Sequence, residues 1–199
     1  MAQTLELIFD FASPNAYLAW RALGPVLART GAALTLTPAL LGGIFKATGN
    51  RAPMEAFAQV RGKLDYEALE LSRFVARHGL SRYAMNPHFP VNTLLLMRGY
   101  LAAGAQQPAY FAAVMEAMWE DGRAMGDPAV VQGVLAGAGL EAGAILAGAQ
   151  DPAVKQRLVE LTQQAVERGV FGIPTFFVGR EMFFGKERLD QVEALLGAA

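Results

Sequence analysis

The sequence predicts an α/β fold: a βαβ unit, then a long run of helices, then a closing ββα unit. Three observations carry that reading. Over residues 4–11, Leu5, Leu7, Phe9 and Phe11 alternate with Glu6, Ile8 and Asp10, the period of two expected of a strand with one strongly apolar face. Residues 174–178 and 181–184 are two β-rich runs separated by Gly179-Arg180, a two-residue turn with glycine in the first central position, which reads as an antiparallel hairpin. Between these ends the chain has helical periodicity and almost no β-rich run.

The elements follow in order. Ser13-Pro14 supplies an N-cap followed by proline in the first helical position, and Tyr17, Trp20, Leu23, Gly24 and Leu27 recur at helical spacing until Gly31. Residues 34–37 return to β-branched alternation and stop at Pro38, which completes a parallel, right-handed βαβ unit. Residues 41–50 read as a glycine-flanked loop. Start signals then predict helices over 65–77 (capped by Asp65), 90–102 (opened by Pro90) and 109–121 (after Pro108). Asp127-Pro128 and Asp151-Pro152 repeat the cap-then-proline device for helices over 128–138 and 152–168. After the hairpin Gly185 breaks the strand, and Leu189, Val192, Leu195 and Leu196 form the apolar stripe of a last helix over 187–196.

A chain of 199 residues suits one core with an insertion, or two small lobes. With 53% hydrophobic and 18% charged residues it has ample core material and no disordered composition. Seventeen basic and eighteen acidic side chains leave a net charge of -1, which draws in neither a nucleic-acid backbone nor an anionic membrane. The start, Met1-Ala2-Gln3-Thr4-Leu5-Glu6, lacks the basic opening and small-residue cleavage site of a signal peptide. No stretch supplies the ~20 apolar residues of a membrane span. A cytoplasmic protein is the expectation. The absence of cysteine removes disulfides, cysteine nucleophiles, thiolate metal sites and any dithiol chemistry borne by the chain.

Two features could carry chemistry. Ser13 stands where a strand hands over to a helix, and the exposed amides of a helix N-terminus favour an anion to which a hydroxyl adds one more hydrogen bond. The same residue could instead only cap its own helix, a common use of Ser-Pro. Ile173-Pro174 opens a strand; a cis bond there would free the backbone of Ile173 for an extended ligand, whereas an ordinary proline at a strand edge would not. Elsewhere, His78 and His88 have no metal-ligand spacing, and no metal site is expected. Glu116, Glu120 and Asp121 read as a charged helix face.

Taken together, βαβ then ββα with a polar motif after the first strand and Ile-Pro before the third resembles the thioredoxin fold, Ser13 to Ala16 standing where redox members carry Cys-x-x-Cys. Four ordered phrases narrow the resemblance: Phe9-Asp10-Phe11-Ala12-Ser13-Pro14, Leu41-Gly42-Gly43-Ile44-Phe45-Lys46-Ala47-Thr48-Gly49-Asn50, Asn86-Pro87-His88-Phe89-Pro90-Val91-Asn92-Thr93 and Gly169-Val170-Phe171-Gly172-Ile173-Pro174-Thr175-Phe176. They resemble the 2-hydroxychromene-2-carboxylate isomerases, relatives of the kappa-class glutathione transferases.

The resemblance implies a thioredoxin-like domain of residues 1–40 and 166–199 around an all-helical insertion of residues 41–165. It implies that the missing thiol is borrowed from glutathione, whose thiolate adds to a conjugated aromatic carboxylate, permits ring opening and bond rotation, and is then expelled. Ser13 would be catalytic, hydrogen-bonding the glutathione sulfur; Ile173 and Pro174 would hold its cysteinyl segment, and Phe184, Gly185, Lys186 and Glu187 its γ-glutamyl end. Glu187 stands where the family usually has Asp. Phe45, Lys46, Asn50, Asn86 and Pro87 would line the substrate pocket, with Lys46 as the carboxylate's counter-ion. Read without the resemblance, these are a solvated lysine and turn-forming asparagines. A homodimer is implied. Two other readings remain open: a kappa-like transferase that releases a conjugate, and a non-catalytic thioredoxin-like module that binds an extended peptide.

Overall fold

The computed structural model describes residues 3–197, so residues 1–2 and 198–199 of the proposed thioredoxin-like domain lie outside the described residues. Strands β1 (Thr4–Phe9), β2 (Ala33–Pro38), β3 (Thr175–Val178) and β4 (Glu181–Phe184) form one sheet in the order β2-β1-β3-β4. β1 runs parallel to β2, from Thr4 opposite Ala33 to Phe9 opposite Pro38, and antiparallel to β3, from Leu5 opposite Val178 to Ile8 opposite Thr175. β3 and β4 form the expected hairpin, with Gly179 taking the positive φ of 59° that the turn requires.

Helix α1 (Pro14–Thr30) joins β1 to β2, and Gly31 closes it at φ 67°. The segment between β2 and β3 carries α2 (Leu41–Thr48), α3 (Pro53–Ala56), α4 (Lys63–Arg77) and α5 (Leu94–Ala102). It continues with α6 (Gln107–Trp119), α7 (Pro128–Gly137), α8 (Ala142–Gly148) and α9 (Pro152–Glu167). After the hairpin a 3-10 turn (Lys186–Arg188) leads into α10 (Leu189–Leu196). The domain boundary implied at residues 165 and 166 falls inside α9. Among the described residues, no helix is long and apolar enough to cross a membrane.

Several bounds differ from the sequence expectation, each for a local reason. β1 ends at Phe9 and not at residue 11, because the Asp10 carboxylate accepts the Ala12 amide at 2.9 Å and the chain turns there. The expected loop over 41–50 is mostly helix: Leu40 and Leu41 donate their amides to the Thr162 hydroxyl at 3.0 Å and to Asp10 at 2.8 Å, anchors that lie far away in sequence. Gly43 lets α2 approach α9 so closely that an added Cβ would stand 3.0 Å from Thr162 Cγ2. α4 begins at Lys63 behind Gly62 rather than at Asp65, and α5 begins at Leu94, four residues after the expected Pro90, where Asn92 Oδ1 accepts the Leu94 amide at 3.0 Å. α6 stops at Trp119, and α3 and α8 have no counterpart in the sequence reading.

The core ties the helical segment to the sheet. Phe9 meets Phe11, Tyr100 and Phe111 edge-on at centroid distances of 5.2, 5.1 and 4.7 Å. Such aromatic pairs add ~0.5–1.5 kcal/mol each beyond their buried area. Trp119, fully buried, donates Nε1–H to the Phe11 carbonyl at 3.0 Å, which fixes the chain immediately before Ser13 against α6. On α5, Gly99 leaves room for Tyr110, whose hydroxyl bonds the Leu96 carbonyl at 2.8 Å; a Cβ at Gly99 would lie 2.3 Å from that oxygen.

Candidate functional site

β1 ends beside β3, and that pairing brings residues 13 and 173 together across the sheet. Ser13 holds extended backbone (φ -97°, ψ 110°), donates its amide to the Asp10 carbonyl at 3.0 Å, and accepts the Ala16 amide on its hydroxyl at 3.1 Å. It therefore caps α1, as the local sequence demands. The same hydroxyl donates to the Ile173 carbonyl at 3.2 Å. That is long for an O–H···O bond, whose usual length is ~2.7–2.8 Å. Ser13 is 4% exposed, at the junction rather than on the open surface.

The Ile173-Pro174 bond is cis. Among the described residues the Ile173 amide makes no hydrogen bond, so one donor at this edge is left over. Pro174 passes the arrangement on, since its carbonyl accepts the Gly185 amide at 2.9 Å. Phe184 packs against Phe171 at a ring distance of 4.6 Å and over Gly172, where an added Cβ would meet the ring at 2.7 Å. Ser13, Ile173, Pro174, Phe184 and Gly185 thus form one continuous edge.

Beyond Gly185 the 3-10 turn presents Lys186 and Glu187. Lys186 is 5% exposed, its ammonium paired with the Glu187 carboxylate and 5.3 Å from the centre of the Phe74 ring. Glu187 lies on this turn and not in α10, so its side chain folds back toward Gly185. A cleft of about 160 Å³ opens here, with Arg73, Phe74 and Arg77 of α4 facing Lys186, Glu187 and Asp190. A larger apolar groove of about 460 Å³ between α2 and α9 contains none of the candidate residues.

The expected substrate residues divide. Phe45 and Lys46 ride on α2, and Lys46 is exposed. Asn50 joins the site's edge in a different way from that expected: its amide nitrogen donates to the Phe171 carbonyl at 2.7 Å and its oxygen accepts the Arg51 amide at 2.8 Å. It fastens the end of α2 to the loop before Pro174. Asn86 makes contacts that the sequence reading did not anticipate. It is 2% exposed, donates to the Met118 and Arg123 carbonyls at 2.9 and 3.0 Å, and accepts the His88 amide at 2.8 Å. With both amide donors and one acceptor position spent on backbone, it braces the 86–93 loop. Pro87 is exposed and packs near Gly122.

Asp10 is the residue that sequence reasoning passed over. Its carboxylate, 2% exposed, accepts the Thr93 hydroxyl at 2.6 Å as well as the Ala12 and Leu41 amides, and so draws the starts of α1, α2 and α5 to one point behind Ser13. Burial pushes this carboxyl above the usual carboxylate range, against the pull of its three donors. The available signal was an acid inside the apolar run Phe9 to Phe11. The charged face on α6 is also more than solvated: Glu120 receives Tyr17 Oη at 2.8 Å, pairs with Arg21, and lies 2.7 Å from Arg82 Nε. Burial acts to raise Glu120, but bonds from Arg21 and Tyr17 and the charges of Arg21 and Arg82 leave it below the usual range.

Comparison with known proteins places these observations in a wider set. A family model described as a DSBA-like thioredoxin domain matches residues 4–197. The chain is 32% identical to a 2-hydroxychromene-2-carboxylate isomerase of Pseudomonas putida, over 97% of this chain and 94% of that one. It is 27% identical to the glutathione S-transferase kappa 1 of Rattus norvegicus, over 98% and 91%. A solved structure of a 2-hydroxychromene-2-carboxylate isomerase superposes with a TM-score of 0.82 at 31% identity, covering 98% of this chain and 94% of that one.

Proposed function

The chain belongs to the DSBA-like thioredoxin domain family and to its 2-hydroxychromene-2-carboxylate isomerase members, and from that premise we propose that it is a glutathione-dependent isomerase of an aromatic ring-cleavage product such as 2-hydroxychromene-2-carboxylate. The observation that carries this reading is the Ser13 hydroxyl, set on the N-terminus of α1 and 3.2 Å from the carbonyl of Ile173. A chain with no cysteine has no thiol of its own to place there.

The residues present fit a glutathione molecule. The unpaired Ile173 amide offers a donor to an extended peptide backbone, and its carbonyl offers an acceptor once the serine hydroxyl turns away. Gly172 and Gly185 keep this edge free of Cβ atoms where the chain is tight. Lys186 and Glu187 stand next along the same edge, where a γ-glutamyl group would end.

When bound, glutathione supplies a sulfur nucleophile that adds reversibly to a conjugated double bond and is not consumed. The chain's own part is to make that sulfur available as the anion. An ordinary thiol titrates near ~8.5, and a helix N-terminus together with one hydroxyl donor lowers that value. Ser13 turns its hydroxyl hydrogen from Ile173 to the sulfur, while its oxygen continues to accept the Ala16 amide, so capping and catalysis are compatible in one residue. Phe45 and Lys46 on α2, and Pro87 in the 86–93 loop, remain the candidates for contact with the aromatic carboxylate. A cytoplasmic homodimer completes the proposal; exposed Met54, Phe57, Val60 and Leu69 on and around α3 and α4 support an assembly that covers them.

The test is product analysis with sub-stoichiometric glutathione. Full conversion of 2-hydroxychromene-2-carboxylate to its open isomer, with glutathione recovered, supports isomerisation. A stable thioether that stops the reaction at one equivalent of glutathione identifies a transferase instead. No turnover and no glutathione binding would leave the peptide-binding module.

A further inference from the structure

We propose that Asp10 is a positioning residue for the reaction: its carboxyl group aims α2, which carries Phe45 and Lys46, at the turn that holds Ser13. The inference rests on the isomerase reading above and adds to it a residue to which neither the sequence motifs nor the comparisons assign a role. Ser13 serves the sulfur, and Asp10 serves the aim of the groups that meet the substrate.

The hydrogen bonds of Asp10 divide between the two sides of the site. Its main-chain carbonyl accepts the Ser13 amide at 3.0 Å and its Oδ1 accepts the Ala12 amide at 2.9 Å, so the turn that delivers Ser13 closes on this one residue. Oδ1 also receives the Thr93 hydroxyl at 2.6 Å, and Oδ2 receives the Leu41 amide at 2.8 Å. Leu41 and Thr93 are where α2 and α5 begin, and neither Leu40 nor Thr93 caps its helix with its own side chain. For α2, Asp10 is therefore a cap supplied from 31 positions away, set against the free amides and positive dipole end of the helix. That helix depends on the anchor, because Ile44 is its only buried residue and side-chain packing alone leaves its direction weakly defined. The Leu40 amide bonds Thr162 of α9, and Asn50 ties the far end to the Phe171 carbonyl. Among the hydrogen bonds of the described residues, the Leu41–Asp10 bond is the one that joins α2 to the turn before Ser13. Phe45 and Lys46 stand little more than one helical turn beyond Leu41, so a tilt at that bond moves both.

The choice of an acid is the second argument. The turn at Ala12 needs one acceptor, which asparagine supplies as well as aspartate does. Asp10 is 2% exposed, and burial works against its charged form. An acid is worth that cost where both of its oxygens must accept: asparagine has one oxygen, and its NH2 group in the place of Oδ2 would face the Leu41 N–H, donor against donor. The second oxygen serves Leu41. The residue type is thus explained by the hold on α2 and not by the local turn.

The experiment compares Leu41→Pro, Leu41→Ala and Asp10→Asn with the wild type. Leu41 is the first residue of α2, a position that tolerates proline, and Leu40 already has the ψ of 115° suited to the residue before one. Leu41→Pro therefore deletes the amide that Oδ2 receives, while Leu41→Ala keeps the amide and controls for the lost side chain. The readouts are the calorimetric Kd for glutathione, kcat and KM for 2-hydroxychromene-2-carboxylate at saturating glutathione, and thermal melts. We expect KM to rise about tenfold or more in Leu41→Pro and Asp10→Asn, the loss of one charge-assisted contact to the substrate. Leu41→Ala should keep the KM of the wild type, and Leu41→Pro should bind glutathione within about twofold of it. A merely structural role lowers the melting temperatures and leaves KM unchanged in the folded variants; that result overturns the inference and leaves the isomerase reading intact, as does a KM raised equally by Leu41→Ala. Asp10→Asn decides by the same reading of KM should Leu41→Pro fail to fold. Failure of the wild type to isomerise the substrate overturns both.

Discussion

Ser13→Ala separates two things that one hydroxyl does. The substitution removes the acceptor for the Ala16 amide, bonded at 3.1 Å, and an N-cap lost to alanine costs ~1 kcal/mol. In a chain of this length that is a fall of about 2–4 °C in Tm. It also removes the donor proposed for the glutathione sulfur. A hydrogen bond to a charged group contributes ~1.5–3 kcal/mol, which is about a 10- to 150-fold loss of turnover at saturating glutathione. Ser13→Gly tests whether the two effects part company: glycine at an N-cap costs only a few tenths of a kcal/mol, yet it has no hydroxyl. The glycine variant should melt close to the wild type and turn over as poorly as the alanine variant, in a spectrophotometric isomerase assay run beside thermal melts. The thiolate absorbance of the bound glutathione should shift to higher pH in both. Undiminished turnover in either variant refutes the role assigned to Ser13.

Three further outcomes are expected. Asn86→Ala should destabilise the fold by about 1–3 kcal/mol in urea titration, because it orphans the Met118 and Arg123 carbonyls, while leaving the KM for substrate unchanged; a raised KM in the folded protein would return Asn86 to the substrate pocket. Glu120→Gln leaves Arg21 and Tyr17 facing a neutral amide at a side chain that is 1% exposed, and should cost about 2–3 kcal/mol, below the ~3–5 of a fully buried pair because Arg82 is largely in solvent. Asp10 gives a pH signature: burial raises its folded pKa above the ~3.9 of the unfolded chain, so its contribution is greatest below the unfolded value and is lost as pH rises through the folded one. The stability of the wild type relative to Asp10→Asn should therefore grow when denaturant titrations are moved from neutral pH into the acid range, and a constant difference would show that folding does not raise the Asp10 pKa.

Legibility in the sequence tracked how local each feature's cause was. β1, α1, the β3–β4 hairpin and the cap-then-proline helix starts are decided by neighbours within a few residues, and they stand where alternation, Ser13-Pro14 and Gly179 indicated. The helix over Leu41–Thr48 was hidden because Gly42 and Gly43 are poor helix formers; what holds its start is Asp10 and Thr162, and what Gly43 provides is the close approach to α9. Asn86 was legible as a turn former, but nothing in Asn86-Pro87 told that its amide would be taken up by α6 and the chain following it. The cleft at α4 was invisible for the same reason: only the return of the chain after β4 places Lys186 opposite Glu70 and Arg73.

The candidate edge inherits its precision from strand register rather than from the residues that form it. Ile8 stands opposite Thr175, and two residues further along each strand direction lie Asp10 and Ile173, the points from which the chain turns into Ser13 on one side and out of the helical segment on the other. A slip of one residue would turn every side chain of β1 to the opposite face and carry the fully buried Leu5, Leu7 and Phe9 out of their packing. The same burial that stabilises the sheet therefore sets Ser13 Oγ beside the Ile173 carbonyl, although 160 positions separate them in the chain. Asp10 completes the arrangement, since its carboxylate holds α2 and α5 to the turn before Ser13. On the proposed reading, a borrowed thiol can vary in conformation while it is free, whereas the hydroxyl and the backbone edge proposed to receive it are placed by the fold before it arrives.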